Sequence, residues 1–138
     1  MGKFFTIEEL CKSSVADKFR IDNRPNKKIV ENLNALIENV LDPLRKKLGK
    51  PIIVTSGYRC EELNKKVGGV PTSHHVLGYA ADIVTKNKVD QVRMFAIMRE
   101  SGIPCTQLSW EKGSDKCPDW IHVSYVPNNL KKQVLRIR

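Results

Sequence analysis

Ser73-His74-His75-Val76-Leu77-Gly78-Tyr79-Ala80-Ala81-Asp82-Ile83-Val84-Thr85 carries a loop into a strand, and with it the two kinds of side chain that most often bind zinc in open sites. Asp82-Ile83-Val84-Thr85 is a short β-branched run of the kind a sheet favours. The two histidines precede it, in a loop that follows Gly68-Gly69-Val70-Pro71. Asp119-Trp120-Ile121-His122 enters another predicted strand and adds one more imidazole. Two imidazoles and one carboxylate leave the fourth position of a tetrahedral zinc open to water, and an acid three residues ahead of a ligand is placed to activate that water. Ligands drawn from a loop and two neighbouring strands converge on one face of a sheet. Asp82 and His122 follow from this reasoning, whereas His74 and His75, adjacent in one loop, are not separated by it.

The elements around this stretch set the frame. Thr6-Ile7-Glu8-Glu9 is a capping box, which predicts a helix from Thr6 to about Lys18, ending near the turn formers Asp22-Asn23-Arg24-Pro25. Between Pro25 and Lys47, extended by Leu48, the apolar residues Ile29, Val30, Leu33, Leu36, Ile37, Val40, Leu41 and Leu44 recur at spacings of three and four, the stripe of an amphipathic helix. Pro43 lacks a backbone donor and predicts a kink, or a restart after Asp42, with both halves facing one core. Pro51 to Thr55 reads as a strand, and Glu61 to Val67 as a short helix closed by Gly68-Gly69. A helix from Lys88 to Glu100 should turn Val92, Phe95, Ala96 and Met98 inward, with Gly102 as its C-terminal cap. Strands over Gln107 to Trp110 and Ile121 to Val126 flank a polar loop from Lys112 to Pro118, and Leu135 to Ile137 add an edge strand. Helices first and hairpin-linked strands later predict an α+β fold, with N-terminal helices packed on a small, mainly antiparallel sheet that carries the zinc site. One domain spans residues 1–138, with N-terminal helices in 1–40 and a metal-binding core in 41–138. Trp110 and Trp120, as strand aromatics, are expected in the core.

Composition agrees with one globular domain: 138 residues bury a core without disulfide staples, and 41% hydrophobic with 28% charged residues is ordinary for a soluble protein. No apolar run approaches the roughly 20 residues of a membrane span. The excess of 24 Lys and Arg over 15 Asp and Glu, +9 in all, concentrates polyanions, whether nucleic acid, anionic lipid or the teichoic acid and peptidoglycan of a bacterial wall, and charge alone does not choose among them. A nucleic-acid partner would need a basic stripe interleaved with stacking aromatics, which the sequence lacks. The N-terminus shows no apolar stretch of signal-peptide length, although Gly2 and Thr6 match the bare myristoylation pattern. Cys11, Cys60, Cys105 and Cys117 form no CxxC pair, and reduced, mostly buried thiols are expected.

Ser73, His75, Gly78, Ala80 and Asp82 fit the S-x-H-x-x-G-x-A-x-D signature of the zinc D-Ala-D-Ala carboxypeptidase family of murein peptidases, which also includes phage L-alanyl-D-glutamate endolysins. In that alignment His75 fills the ligand slot and His74 a variable one. The resemblance continues in Ser56-Gly57-Tyr58-Arg59, Leu63-Asn64, Gly69-Val70-Pro71, Gln107-Leu108-Ser109-Trp110-Glu111 and Trp120-Ile121-His122-Val123-Ser124, in the family's order from about Leu41 to Ser124.

The resemblance implies a zinc peptidase acting on peptidoglycan stem or cross-link peptides, with one zinc per chain held by His75, Asp82 and His122. It implies that Asp119 is the general base and that Arg59 faces the substrate, while Ser73 hydrogen-bonds it. Glu111 stands as a further acid, placed to orient His122 or to compete for the base role. The implied fold is shared with the signalling domain of Hedgehog proteins, which supplies the alternative of a zinc-stabilised binding module without catalysis. With no membrane span, no nucleic-acid partner and no second domain, the chain is expected to be a monomer that reaches the wall on release, as a phage endolysin does.

Overall fold

The structure, a computed structural model, describes residues 3–138, so Gly2 of the myristoylation pattern lies outside the described residues. Thr6 caps α1 (Ile7–Cys11) as the capping box predicts, its hydroxyl accepting from the Glu9 amide at 3.1 Å. The helix does not run on to Lys18 in one piece. Lys12 is extended, and Ser13 opens α2 (Ser14–Lys18) by accepting from the Ala16 amide at 3.1 Å. A serine hydroxyl offers the backbone this alternative to helix continuation, and here the alternative wins.

α3 (Lys27–Leu36) starts at Asn26, whose side chain accepts from the Ile29 amide at 2.9 Å. It passes through a π-helical turn (Ile37–Leu41) into α4 (Asp42–Leu48). The helical run continues past Pro43 but changes type ahead of it: the Asp42 amide reaches back five residues to the Ile37 carbonyl, and α4 starts at Asp42 with the proline in its first turn, where a missing donor costs least. The register survives, and Ile29, Leu33, Leu36, Ile37, Val40, Leu41, Leu44 and Leu48 are all buried, with Val30 half-buried. Each fully buried side chain of this kind contributes about 1.5–3 kcal/mol.

Five strands form one mixed sheet in the order β1-β2-β4-β3-β5: β1 (Ile53–Ser56), β2 (Ala80–Val84), β3 (Gln107–Glu111), β4 (Trp120–Ser124) and β5 (Gln133–Ile137). All pairings are antiparallel except β3 with β5. β2 begins at Ala80 rather than at Asp82, because Ala80 already pairs with Ser124 and the Tyr79 carbonyl takes the Tyr125 amide at 2.8 Å. Asp82 is thereby set in mid-strand.

α5 (Glu61–Lys66) follows β1, and α6 (Lys88–Glu100) spans the predicted residues. Its buried side is turned relative to expectation: Gln91, Met94, Phe95 and Met98 are buried, while Val92 and Ala96 are half-buried. Nor is Gly102 its cap. Ser101 ends the helix in extended backbone, and the Lys132 ammonium satisfies the Met98 and Ser101 carbonyls at 3.0 and 2.8 Å. A left-handed glycine is then not needed.

Strand alternation gives the sheet two unlike faces. Ala81, Ile83, Leu108, Ile121 and Val123 face the helices and share one core with Leu10 and the α3–α4 stripe. Trp110 packs at the edge of this core, edge-to-face on Phe95 with centroids 5.2 Å apart. Trp120 does not join it: two residues before His122, it points to the other face and is half-buried. All four cysteines are free thiols, but Cys105 alone is fully buried; the others are half-buried. Among the described residues no helix is long and apolar enough to cross a membrane.

Candidate metal centre

On the face away from the helices, Ser56, Asp82, His122 and Ser109 lie side by side across β1, β2, β4 and β3, as their registers require. His75 comes to this row from the 3-10 turn His74–Leu77, which Ser73 caps by accepting the His75 amide at 3.2 Å. The donor atoms of His75, Asp82 and His122 all lie within 4.8 Å of one another. His74 is not of this group; it is half-buried and packs edge-to-face on Tyr79, 6.3 Å between centroids.

The sequence around each ligand explains its aim. Gly57 carbonyl lies 2.7 Å from His75 Nδ1, which must carry the proton and so leaves Nε2, 3.3 Å from Asp82 Oδ1, as the lone-pair nitrogen. Gly57 itself has to be glycine: a Cβ there would stand 2.1 Å from the Leu10 carbonyl oxygen, against which the loop closes through the Tyr58 amide at 2.7 Å. His122 turns Nδ1 to the same Asp82 Oδ1 at 3.0 Å, and the two rings sit 5.1 Å apart. The other oxygen, Oδ2, faces the Arg59 guanidinium at 3.6 Å. Asp82 thus presents one oxygen to the two imidazoles while a cation holds the second.

Arg59 is fixed on its other edges by Ser56 Oγ and Asn64 Oδ1, both at 3.0 Å, and Asn64 is fixed in turn on the Val70 carbonyl at 2.8 Å. The sequence motifs Ser56-Gly57-Tyr58-Arg59 and Leu63-Asn64 therefore form one support behind the ligands. Asn23 was not legible as part of it: its side chain joins the Cys11 and Tyr58 carbonyls to the Cys60 amide at 2.9, 3.0 and 2.7 Å. A lone turn asparagine carries no local signal for such a long-range role.

Charge follows this geometry. Burial by itself pushes Asp82 up, but the adjoining His122 and His75 rings outweigh it and hold the carboxyl well below the usual range. Burial draws Arg59 down while Asp82 opposes the shift, and burial with the nearby imidazoles lowers His74. Glu111, half-buried at the end of β3, is raised by burial and by Asp82, against the pull of His122 and Lys112. Asp119 is exposed at the head of β4; its amide donates to the Glu111 carbonyl at 2.9 Å and its carbonyl accepts from Gln91 at 3.1 Å.

A carboxylate and two neutral imidazoles, one with its tautomer set by a backbone carbonyl, suit zinc and leave it residual positive charge. Such a donor set on the open face of a small α+β sheet defines a class, the metal-binding domains whose site leaves a coordination position open. Within that class the chain belongs to the Peptidase M15 family of zinc metallopeptidases, whose profile matches residues 3–124. Comparison with curated proteins gives no match.

Proposed function

We propose that the protein hydrolyses peptide bonds in the stem or cross-link peptides of bacterial peptidoglycan, with one zinc held by His75, Asp82 and His122. The observation that carries this reading is the convergence of His75 Nε2 and His122 Nδ1 on a single oxygen of Asp82, whose second oxygen is taken by Arg59. Bound there, zinc would lower the pKa of water and polarise the scissile carbonyl. Arg59 lies beside that point with three of its edges defined, and supplies a fixed cation for the developing oxyanion or for a substrate carboxylate. The Ser73 hydroxyl accepts from the His75 amide and so braces the His75 loop, and the resemblance gives it a hydrogen bond to the substrate. A carboxylate must also take a proton from the attacking water and return it to the leaving amine. The resemblance assigns that task to Asp119.

The net charge of +9 supports a wall-bound substrate, reached by a monomer after release from the cell that makes it. Mass spectrometry of muropeptides after digestion tests the reading and identifies the bond. Zinc-loaded protein is expected to release a new amine from purified peptidoglycan, and chelated protein to release none until zinc is restored. A protein that binds zinc yet leaves peptidoglycan and its stem peptides intact would be a binding module of the Hedgehog kind instead.

A further inference from the structure

We propose that β5 forms the far wall of the substrate cleft, where Leu135 and Ile137 seat the alkyl side chains of a peptide laid across the sheet from the metal centre. The proposal rests on the peptidase reading above, and it assigns substrate selection to a strand beyond residues 3–124, the stretch that the family profile covers.

Strand register places the wall. Asp82 pairs with His122, His122 with Ser109 and Ser109 with Leu135, so one row of side chains on the ligand face runs from the metal ligands out to β5. Trp120, Glu111 and Ile137 form the next row of the same face. Only the small side chain of Ser109 stands between His122 and Leu135. Neighbouring strands lie about 4.8 Å apart, which sets Leu135 about 10 Å from His122, and an extended peptide at about 3.3 Å per residue covers that distance in about three residues. A stem peptide therefore reaches the wall, and a dipeptide does not.

The residue between the two apolar side chains confirms their direction. Arg136 lies over the Trp110 ring, 5.5 Å from its centroid, at the edge of the helix-side core, and pairs with Asp115 at 2.8 Å. Leu135 and Ile137 point the opposite way, and the core cluster takes in neither. Leu135 is half-buried and Ile137 is 39% exposed, so both keep apolar area that a bound peptide would cover.

The wall is also held in place before any peptide arrives. The Gln133 amide donates to the Thr106 carbonyl at 2.9 Å, the Gln107 side chain to that of Gln133 at 3.2 Å, and the Lys112 amide to the Ile137 carbonyl at 2.7 Å. A strand tied at both ends gives up little freedom on binding, so the contact area goes into affinity.

The test uses two probes that share the bond identified by muropeptide analysis: the full pentapeptide stem, and the capped dipeptide that holds that bond alone. L135S and I137S, zinc-loaded, are each expected to lower kcat/KM for the pentapeptide by about tenfold, chiefly through KM, and to leave the dipeptide within about twofold of wild type. V134S is the control, since Val134 shares the strand but pairs with the core residue Leu108, and it should leave both probes unchanged. The proposal is overturned if the pentapeptide is cleaved as well by L135S and I137S as by wild type, if the loss is equal on the two probes, or if V134S takes the same loss. A dimer in sedimentation that L135S dissociates would give the strip to a second copy of the chain and overturn it too. A wild-type protein that cleaves no stem peptide ends the peptidoglycan reading, and methyl NMR of the zinc-loaded protein titrated with capped tetra-alanine then decides separately. Shifts at the Leu135 and Ile137 methyls that exceed those at Val134 uphold the wall, and their absence overturns it.

Discussion

Arg59 shows how much one residue does here. Its guanidinium meets Ser56, Asn64 and Asp82 on three edges, a use of planar, forked geometry that an ammonium cannot reproduce. R59K is therefore expected to keep the charge and the zinc but to lower kcat/KM by about 10²-fold, the size of losing one preorganised oxyanion donor. Metal analysis and steady-state kinetics on a muropeptide check this; wild-type kcat/KM in R59K would reduce Arg59 to a structural partner of Asp82. His75 was legible at this scale only through resemblance. Adjacent histidines in a loop are equivalent as sequence, and what separates them is the Gly57 carbonyl that takes one ring nitrogen of His75. Asp119 was singled out by its place three residues before a ligand and by resemblance, and it stands exposed just ahead of β4.

Among elements, α3 and the ligand loop depend on each other. Gly78 ends the 3-10 turn at φ +75°, and a Cβ there would lie 3.0 Å from Ile29 Cγ2 and 3.1 Å from the Ile29 carbonyl oxygen. Asn32 of the same helix donates to the Leu77 carbonyl at 2.8 Å. G78A is expected to lose about 1–2 kcal/mol from the left-handed backbone alone, with weaker zinc binding, because the same turn carries His75. Urea unfolding of the metal-free protein and zinc titration measure the two effects separately. The stripe of α3 and α4, the span of α6, the strand identities and the edge position of β5 could be read from periodicity, since those signals are local. The break at Lys12, the π turn ahead of Pro43 and the Lys132 cap of α6 could not, because each is decided by which backbone groups find partners elsewhere.

At the scale of the molecule, the thiols fix an alkaline limit. Burial pushes Cys11 up to about 11, and raises Cys105 and Cys117 against the pull of Lys132 and Lys88. A folded-state pKa above the unfolded one means stability that is complete below the unfolded thiol value of about 8.5 and is lost as pH rises through the folded value. Unfolding free energy should therefore fall between about pH 8.5 and 11, and C11A should flatten that slope. A C11A protein with an unchanged pH dependence from urea titrations would remove Cys11 from this role.

By itself the sequence determined the α+β order of elements, the apolar stripe from Ile29 to Leu48 and the residue types of a zinc site, because periodicity and ligand chemistry are properties of short segments. Resemblance in the motifs from Ser56 to Ser124 placed the chain in a peptidase family that its profile bears out. Only the tertiary structure decided that the Gly57 carbonyl fixes the His75 ring, that both imidazoles meet one oxygen of Asp82, and that Arg59 holds the second oxygen of that carboxylate. Those outcomes depend on strand register and on loop closure at Leu10 and Gly57, contacts between residues far apart in the chain that no local pattern encodes.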